Sequence, residues 1–115
     1  SGSDKLSEGY AERIERVSRA LAEQKGQVLV VGHSDNVPIR SSRFPSNQHL
    51  SLARAESVKA QMARFIDPAR LSAEGRAETE QLGDESTEEG RAFNNSREGR
   101  AQNRRIEIIL LKAEN

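Results

Sequence analysis

The chain has no cysteine, no tryptophan and few aromatic residues of any kind, and each absence removes a class of function. Without cysteine there is no disulfide, no thiol nucleophile and no thiolate metal site. Aromatics make up 3% of the 115 residues, too few for the stacking platform that grips single strands or sugar rings. Neither sign of charge dominates. Eighteen basic residues balance eighteen acidic ones, which argues against nucleic acid as a partner while leaving room for a local charged pocket. No apolar run approaches the length of a membrane span and no signal peptide is visible. An exported or anchored protein would carry such segments outside this stretch.

What is present fits one domain, residues 1–115. Hydrophobic residues are 34% and charged residues 31%, so the core must be economical and the surface heavily charged. Tyr10, Ile14, Val17 and Leu21 recur at helical spacing, predicting an amphipathic helix from about Ser7 to Gln24, capped by Ser7 and stopped at Gly26. Val28-Leu29-Val30-Val31 is a continuous apolar run between Gly26 and Gly32, the pattern of a central strand buried on both faces. A long polar loop with Pro38 and Pro45 follows, from His33 to about Leu50, and loops of that length are often functional.

A second helix is expected from about Ser51 to Phe65, capped by Ser51, with Ala55, Val58, Met62 and Phe65 as its apolar stripe and Asp67-Pro68 as its breaker. Leu71–Glu74 is a short strand candidate, then a polar stretch runs from Arg76 to Asn95, then a helical piece. A final strand spans Arg105 to about Lys112. Glu89-Gly90-Arg91-Ala92-Phe93-Asn94 is echoed nine residues on by Glu98-Gly99-Arg100-Ala101-Gln102-Asn103. One such pair is no solenoid, and the plain reading is a duplication that lengthens a surface segment. Helices and strands alternate, so the expected class is α+β, with helices packed on one face of a small mixed sheet.

Four patterns occur in order: Val31-Gly32-His33-Ser34-Asp35-Asn36, then Arg43-Phe44-Pro45-Ser46-Asn47 leading into Leu50-Ser51-Leu52-Ala53-Arg54-Ala55, then Leu71-Ser72-Ala73-Glu74-Gly75, then Asn103-Arg104-Arg105-Ile106-Glu107-Ile108. Together they resemble the OmpA C-terminal family, with its G-H-T-D, N-x-x-L-S-x-x-R-A and N-R-R-V-E-I signatures. The resemblance implies a β/α/β/α/β sandwich and non-catalytic binding of peptidoglycan from the periplasmic side. The long loop narrows it to the branch with MotB-type flagellar stators and the wall-binding extensions of TssL proteins in type VI secretion. Asp67-Pro68-Ala69-Arg70-Leu71 with Glu74-Gly75-Arg76-Ala77 is closer to the TssL extensions, whose membrane-complex secretion proteins would be partners.

The sequence also departs from the pattern. Ser34 replaces Thr, Gln48 stands where the branch has Trp, and the Pro after the third strand is missing, with Gln81 nearby. The doubled segment adds about nine residues before Asn103. Ser1-Gly2-Ser3-Asp4-Lys5-Leu6 matches the turn that ends the family's first strand, so that strand is expected to be truncated.

Meso-diaminopimelate, in the peptidoglycan stem peptide, ends in an ammonium and a carboxylate. The resemblance assigns Asp35 to the ammonium and Arg54, with its planar fork, to the carboxylate. Asn47 is assigned to ordering the loop or touching the peptide, and Ser34, beside Asp35, is placed in the same binding site. Arg104 and Arg105 match the N-R-R pair; on a strand only one of them can face the pocket. Without the resemblance, Asp35 reads as an Asx turn or a helix cap and Arg54 as a solvated charge. His33, Asp35 and His49 make a thin metal set, and Ser34 beside His33 lacks a G-x-S-x-G elbow, so neither a metal, a cofactor nor catalysis is expected. A reading from another class is an assembly module that has lost wall binding and forms a homodimer or a partner complex.

Overall fold

The computed structural model describes residues 8–39, 41 and 43–112; the turn Ser1–Leu6 and the expected cap Ser7 lie outside them. The apolar run forms strand β1 (Gln27–Gly32), and it is the middle strand of a three-stranded mixed sheet. Strand β2 (Leu71–Gly75) pairs with it in parallel, and β3 (Ile106–Leu111) pairs antiparallel on its other side. Val28, Val30, Leu71, Ala73, Ile106, Ile108 and Leu110 share the core face, as the two-residue period of strands requires. On the opposite face Val31 is fully buried but Leu29 only half, so the two-faced burial expected of this run is complete at one end.

Helices α1 (Glu8–Ala22) and α2 (Asn47–Met62) cover the core face. Ile14, Ala55, Val58, Met62 and Ile66 meet the strands there, each large aliphatic contributing about 1.5–3 kcal/mol. Val17, placed in the apolar stripe by its spacing, is 41% exposed. Its place is taken by Ser18, which is buried and donates its hydroxyl to the Ile14 carbonyl at 2.6 Å. Burying a serine is tolerable only because that bond satisfies it. The guanidinium of Arg70 closes the end of α1, donating from Nε to the Gly26 carbonyl at 2.8 Å and from Nη2 to the Leu21 carbonyl at 3.2 Å.

Helix α2 begins four residues earlier than its sequence predicts. Ser46, in extended conformation after Pro45, is the cap, its hydroxyl accepting the His49 amide. Ser51 is not a cap but a buried second-turn residue, accepting the Ala77 amide at 3.0 Å and donating to the Gln48 carbonyl at 3.1 Å. The helix ends at Met62, before Asp67-Pro68, which instead opens a single 3-10 turn, Pro68–Arg70. Gly32 and Gly75 are paired across β1 and β2, and a Cβ at Gly32 would lie 2.1 Å from the Ser51 carbonyl oxygen. Two missing side chains therefore let the first turns of α2 rest directly on the end of the sheet.

The segment expected to be polar as far as Asn95 turns helical earlier, and the nine-residue repeat is its plan. Helix α3 (Glu88–Asn95) is capped by Thr87, which accepts the Gly90 amide; α4 (Arg97–Asn103) is capped by Ser96, which accepts the Gly99 amide. Each unit ends in a fully buried asparagine, Asn94 and Asn103, joined to each other at 3.2 Å. Asn103 Oδ1 accepts the Leu82 amide at 2.7 Å, and Asn94 both accepts from and donates to the backbone of Gly83 at 2.9 Å. The duplication is thus not a lengthened surface segment but a matched pair of capped helices that clamps residues 82–83. Just before it, the Asp84 carboxyl is held below the ordinary carboxylate range by the Ser86 hydroxyl and then the Ser86 amide.

Candidate ligand pocket

The chain leaves β1 at Gly32 and turns immediately, with the His33 amide bonded to Arg105 and the Ser34 amide bonded to the carbonyl of Ala77 at 2.8 Å. Ala77 is held at φ 50°, a left-handed conformation that costs alanine about 1–2 kcal/mol. That cost is localised where the backbone must receive Ser34. The Ser34 hydroxyl donates to the Asp35 carbonyl at 3.0 Å, and Gln81 donates to the Ser34 carbonyl at 3.0 Å.

Asp35 is largely buried and performs two tasks at once. Oδ1 accepts the Val37 amide at 3.0 Å, the Asx turn expected of an aspartate after a strand. Oδ2 accepts Arg104 Nη1 at 2.6 Å, in an ion pair whose side chains are 12% and 31% exposed. A carboxylate has about four acceptor sites, so two remain beyond these bonds among the described residues. Asn47 ties the same loop down, donating Nδ2 to the Val37 carbonyl at 3.1 Å.

On α2, Asn47, Leu50 and Arg54 are spaced three and four apart and so share a face. That face and the loop enclose a cavity of about 290 Å³, walled by Val37, Pro38, Ile39 and Leu50 and by the polar groups of Ser34, Asp35, Asn47, Arg54, Arg100 and Arg104. The structure therefore gathers five of the six sequence-assigned residues. Arg54 is in the second turn of α2 rather than the first, because the helix starts earlier. Arg105 does not line the cavity: its Nη2 donates to the Glu80 carbonyl at 2.9 Å, and it lies 3.8 Å from Glu107. Arg100 is the residue that sequence reasoning missed. Its only sequence signal was its place four residues before Arg104, on the same side of a helix.

His33, Asp35 and His49 are drawn to separate partners. His33 is fully buried with Nε2 against Glu107, while the exposed His49 bonds the Ser46 hydroxyl at 2.7 Å. The Ser34 hydroxyl donates to the Asp35 carbonyl rather than to His33. Ligand atoms of His33, Glu80 and Glu107 lie within 4.8 Å of one another, with Arg76 at 3.2 Å from Glu80. Gln48, in the tryptophan position, donates to the Gly75 carbonyl at 2.7 Å and so pins α2 to the end of β2.

The family model for OmpA matches residues 1–95, most of the chain. The chain belongs to the OmpA family. This OmpA-family domain is 35% identical over 86 residues to motility protein B of Bacillus subtilis, covering 73% of the domain and 30% of that protein. It is 36% identical over 92 residues to outer membrane protein Omp38 of Acinetobacter baumannii, covering 77% and 25%. It therefore spans between a quarter and a third of these curated relatives. Among solved structures it superposes on the cell wall anchor of the type VI secretion system of Pseudomonas aeruginosa with a TM-score of 0.81 and 42% identity, covering 98% of the domain and 73% of that chain. The C-terminal domain of Helicobacter pylori MotB superposes with a TM-score of 0.80 at 23% identity, covering 98% and 81%, a likeness of fold alone. The open three-stranded mixed sheet with its helices matches the OmpA-like fold of these neighbours. No helix among the described residues is long and apolar enough to cross a membrane.

Proposed function

We propose that this domain is a non-catalytic peptidoglycan-binding module that fastens a membrane complex to the cell wall from the periplasmic side. The observation that carries the reading is the pairing, in one cavity, of a carboxylate with acceptor sites to spare and the guanidinium of Arg54. Meso-diaminopimelate ends in an ammonium and a carboxylate on one carbon. Asp35 accepts the ammonium while Arg104 and the Val37 amide hold it in place. Arg54 takes the carboxylate with two parallel donors, a geometry that lysine cannot supply. Ser34 and Asn47 keep the loop in register, and Arg105 supports β3 from outside the pocket.

Type VI secretion is the favoured setting, because the solved neighbour with 42% identity is the cell wall anchor of that system in P. aeruginosa. Its partners would then be the other membrane proteins of the secretion complex. A flagellar stator tether is the second reading, favoured by the 35% identity to motility protein B. Both use the same pocket.

Co-sedimentation with purified peptidoglycan sacculi tests the proposal. Wild-type protein should pellet with the sacculi, and Asp35→Asn or Arg54→Gln should lower apparent affinity by about tenfold or more, the loss of one charge-assisted contact in an open cleft. Wild-type protein that stays in the supernatant, yet forms a homodimer by light scattering, would favour an assembly module instead.

A further inference from the structure

Arg100 belongs to the doubled segment, and it reaches the pocket by a chain of contacts that the segment itself supplies. It is half-buried on α4 and lines the cavity. Its Nε donates to Asn36 Oδ1 at 3.5 Å, and Asn36 is in turn fixed by donating to Asn95 Oδ1 at 2.7 Å. One unit of the repeat thus carries the arginine, and the end of the other unit steadies the loop residue that orients it. A guanidinium has five donors, of which Asn36 takes one. Arg104 stands four residues on, its amide bonded to the Arg100 carbonyl at 3.1 Å, so the two like charges lie on one side of the helix end. Such a pair is mutually unfavourable. Arg104 is occupied by Asp35; Arg100 has no carboxylate within ion-pair distance among the described residues.

Among the described residues, three arginines and a single carboxylate therefore line a cavity assigned to a ligand end that carries one charge of each sign. The excess is positive. The stem peptide carries further carboxylates beside the diaminopimelate end: the α-carboxylate of the neighbouring γ-linked D-glutamate and, where the stem ends at diaminopimelate, the backbone carboxylate of that residue itself.

We propose, building on the reading of this pocket as a stem-peptide site, that Arg100 binds a second carboxylate of the stem peptide. The site then selects free-acid stems over amidated ones. The role is specificity: Asp35 and Arg54 hold the diaminopimelate end, and Arg100 reads the charge on the next group.

The test is calorimetry of wild type and Arg100→Gln with three synthetic L-Ala-γ-D-Glu-meso-diaminopimelate tripeptides. One has all carboxylates free, one has the D-glutamyl α-carboxylate as a carboxamide, and one has the diaminopimelate backbone carboxylate as a carboxamide. Wild type should bind one of the amidated peptides roughly tenfold more weakly than the free acid, as loss of a charged partner predicts. Which one it is identifies the carboxylate read. Arg100→Gln should bind the free acid roughly tenfold more weakly than wild type and lose that discrimination, while still binding all three. If Arg100→Gln retains the wild-type affinities and order, Arg100 has no such role and the peptidoglycan reading stands. If wild type binds none of the three, both fall.

Discussion

Gly32→Ala should cost roughly 3 kcal/mol or more and lower Tm by about 12 °C, the upper end for overpacking in a domain of this size. The added methyl carbon would lie 2.1 Å from the backbone oxygen of Ser51, and no side chain can rotate to make room. Relief requires lifting the first turns of α2 off the central strand. That motion breaks the Ser51 bond to Ala77 and the Gln48 bond to Gly75, and carries Asn47 and Arg54 away from Asp35. Folding and ligand binding should therefore fail together. Gly9→Ala is the control: a Cβ there meets nothing within 4 Å, and alanine in a helix gains up to about 1 kcal/mol over glycine. Thermal melts of the two variants decide the matter, and a Gly32→Ala protein melting within a few degrees of wild type would refute this account of how α2 is seated.

The second large effect is expected at the paired asparagines. Asn103→Ala strands the Leu82 amide and leaves Asn94 short of a donor, inside a fully buried site. Asn94→Ala removes both bonds to Gly83 and a contact to Glu85. Each should cost about 2–3 kcal/mol, the sum of an unsatisfied buried group and a lost side chain. The two residues bond each other, so the double variant should cost clearly less than the sum of the singles. Urea denaturation of the four proteins measures the coupling. Additive losses would mean that the two repeat units stand independently.

Much of the architecture was legible because it rests on strong local patterns. The run Val28–Val31 between two glycines could be little else but a central strand, and the motif order assigned Ser34, Asp35, Asn47, Arg54, Arg104 and Arg105 to one site, of which all but Arg105 line the cavity. What was missed depends on tertiary context. Ser46 and Ser51 are equally good caps by type; only the seating of α2 against Gly32 and Gly75 buries Ser51 and leaves Ser46 at the helix start. Val17 and Ser18 differ in hydropathy in the wrong direction for their burial, and only the bond from Ser18 to the Ile14 carbonyl reconciles it. The repeat was visible, but asparagine is usually a surface residue, so nothing local marked Asn94 and Asn103 as buried. Arg100 enters the pocket only because that buried pair and Asn95 fix where α4 lies.

The central claim is that Asp35 and Arg54 together recognise the diaminopimelate end of a stem peptide, and an NMR titration with a meso-diaminopimelate muropeptide tests it most directly. Saturable shifts confined to the loop and the start of α2, around residues 33–54, and to Arg100 and Arg104, are predicted. They should vanish in Asp35→Ala and in Arg54→Ala while both variants keep folded spectra. A folded wild-type domain whose spectrum ignores the muropeptide would contradict the account.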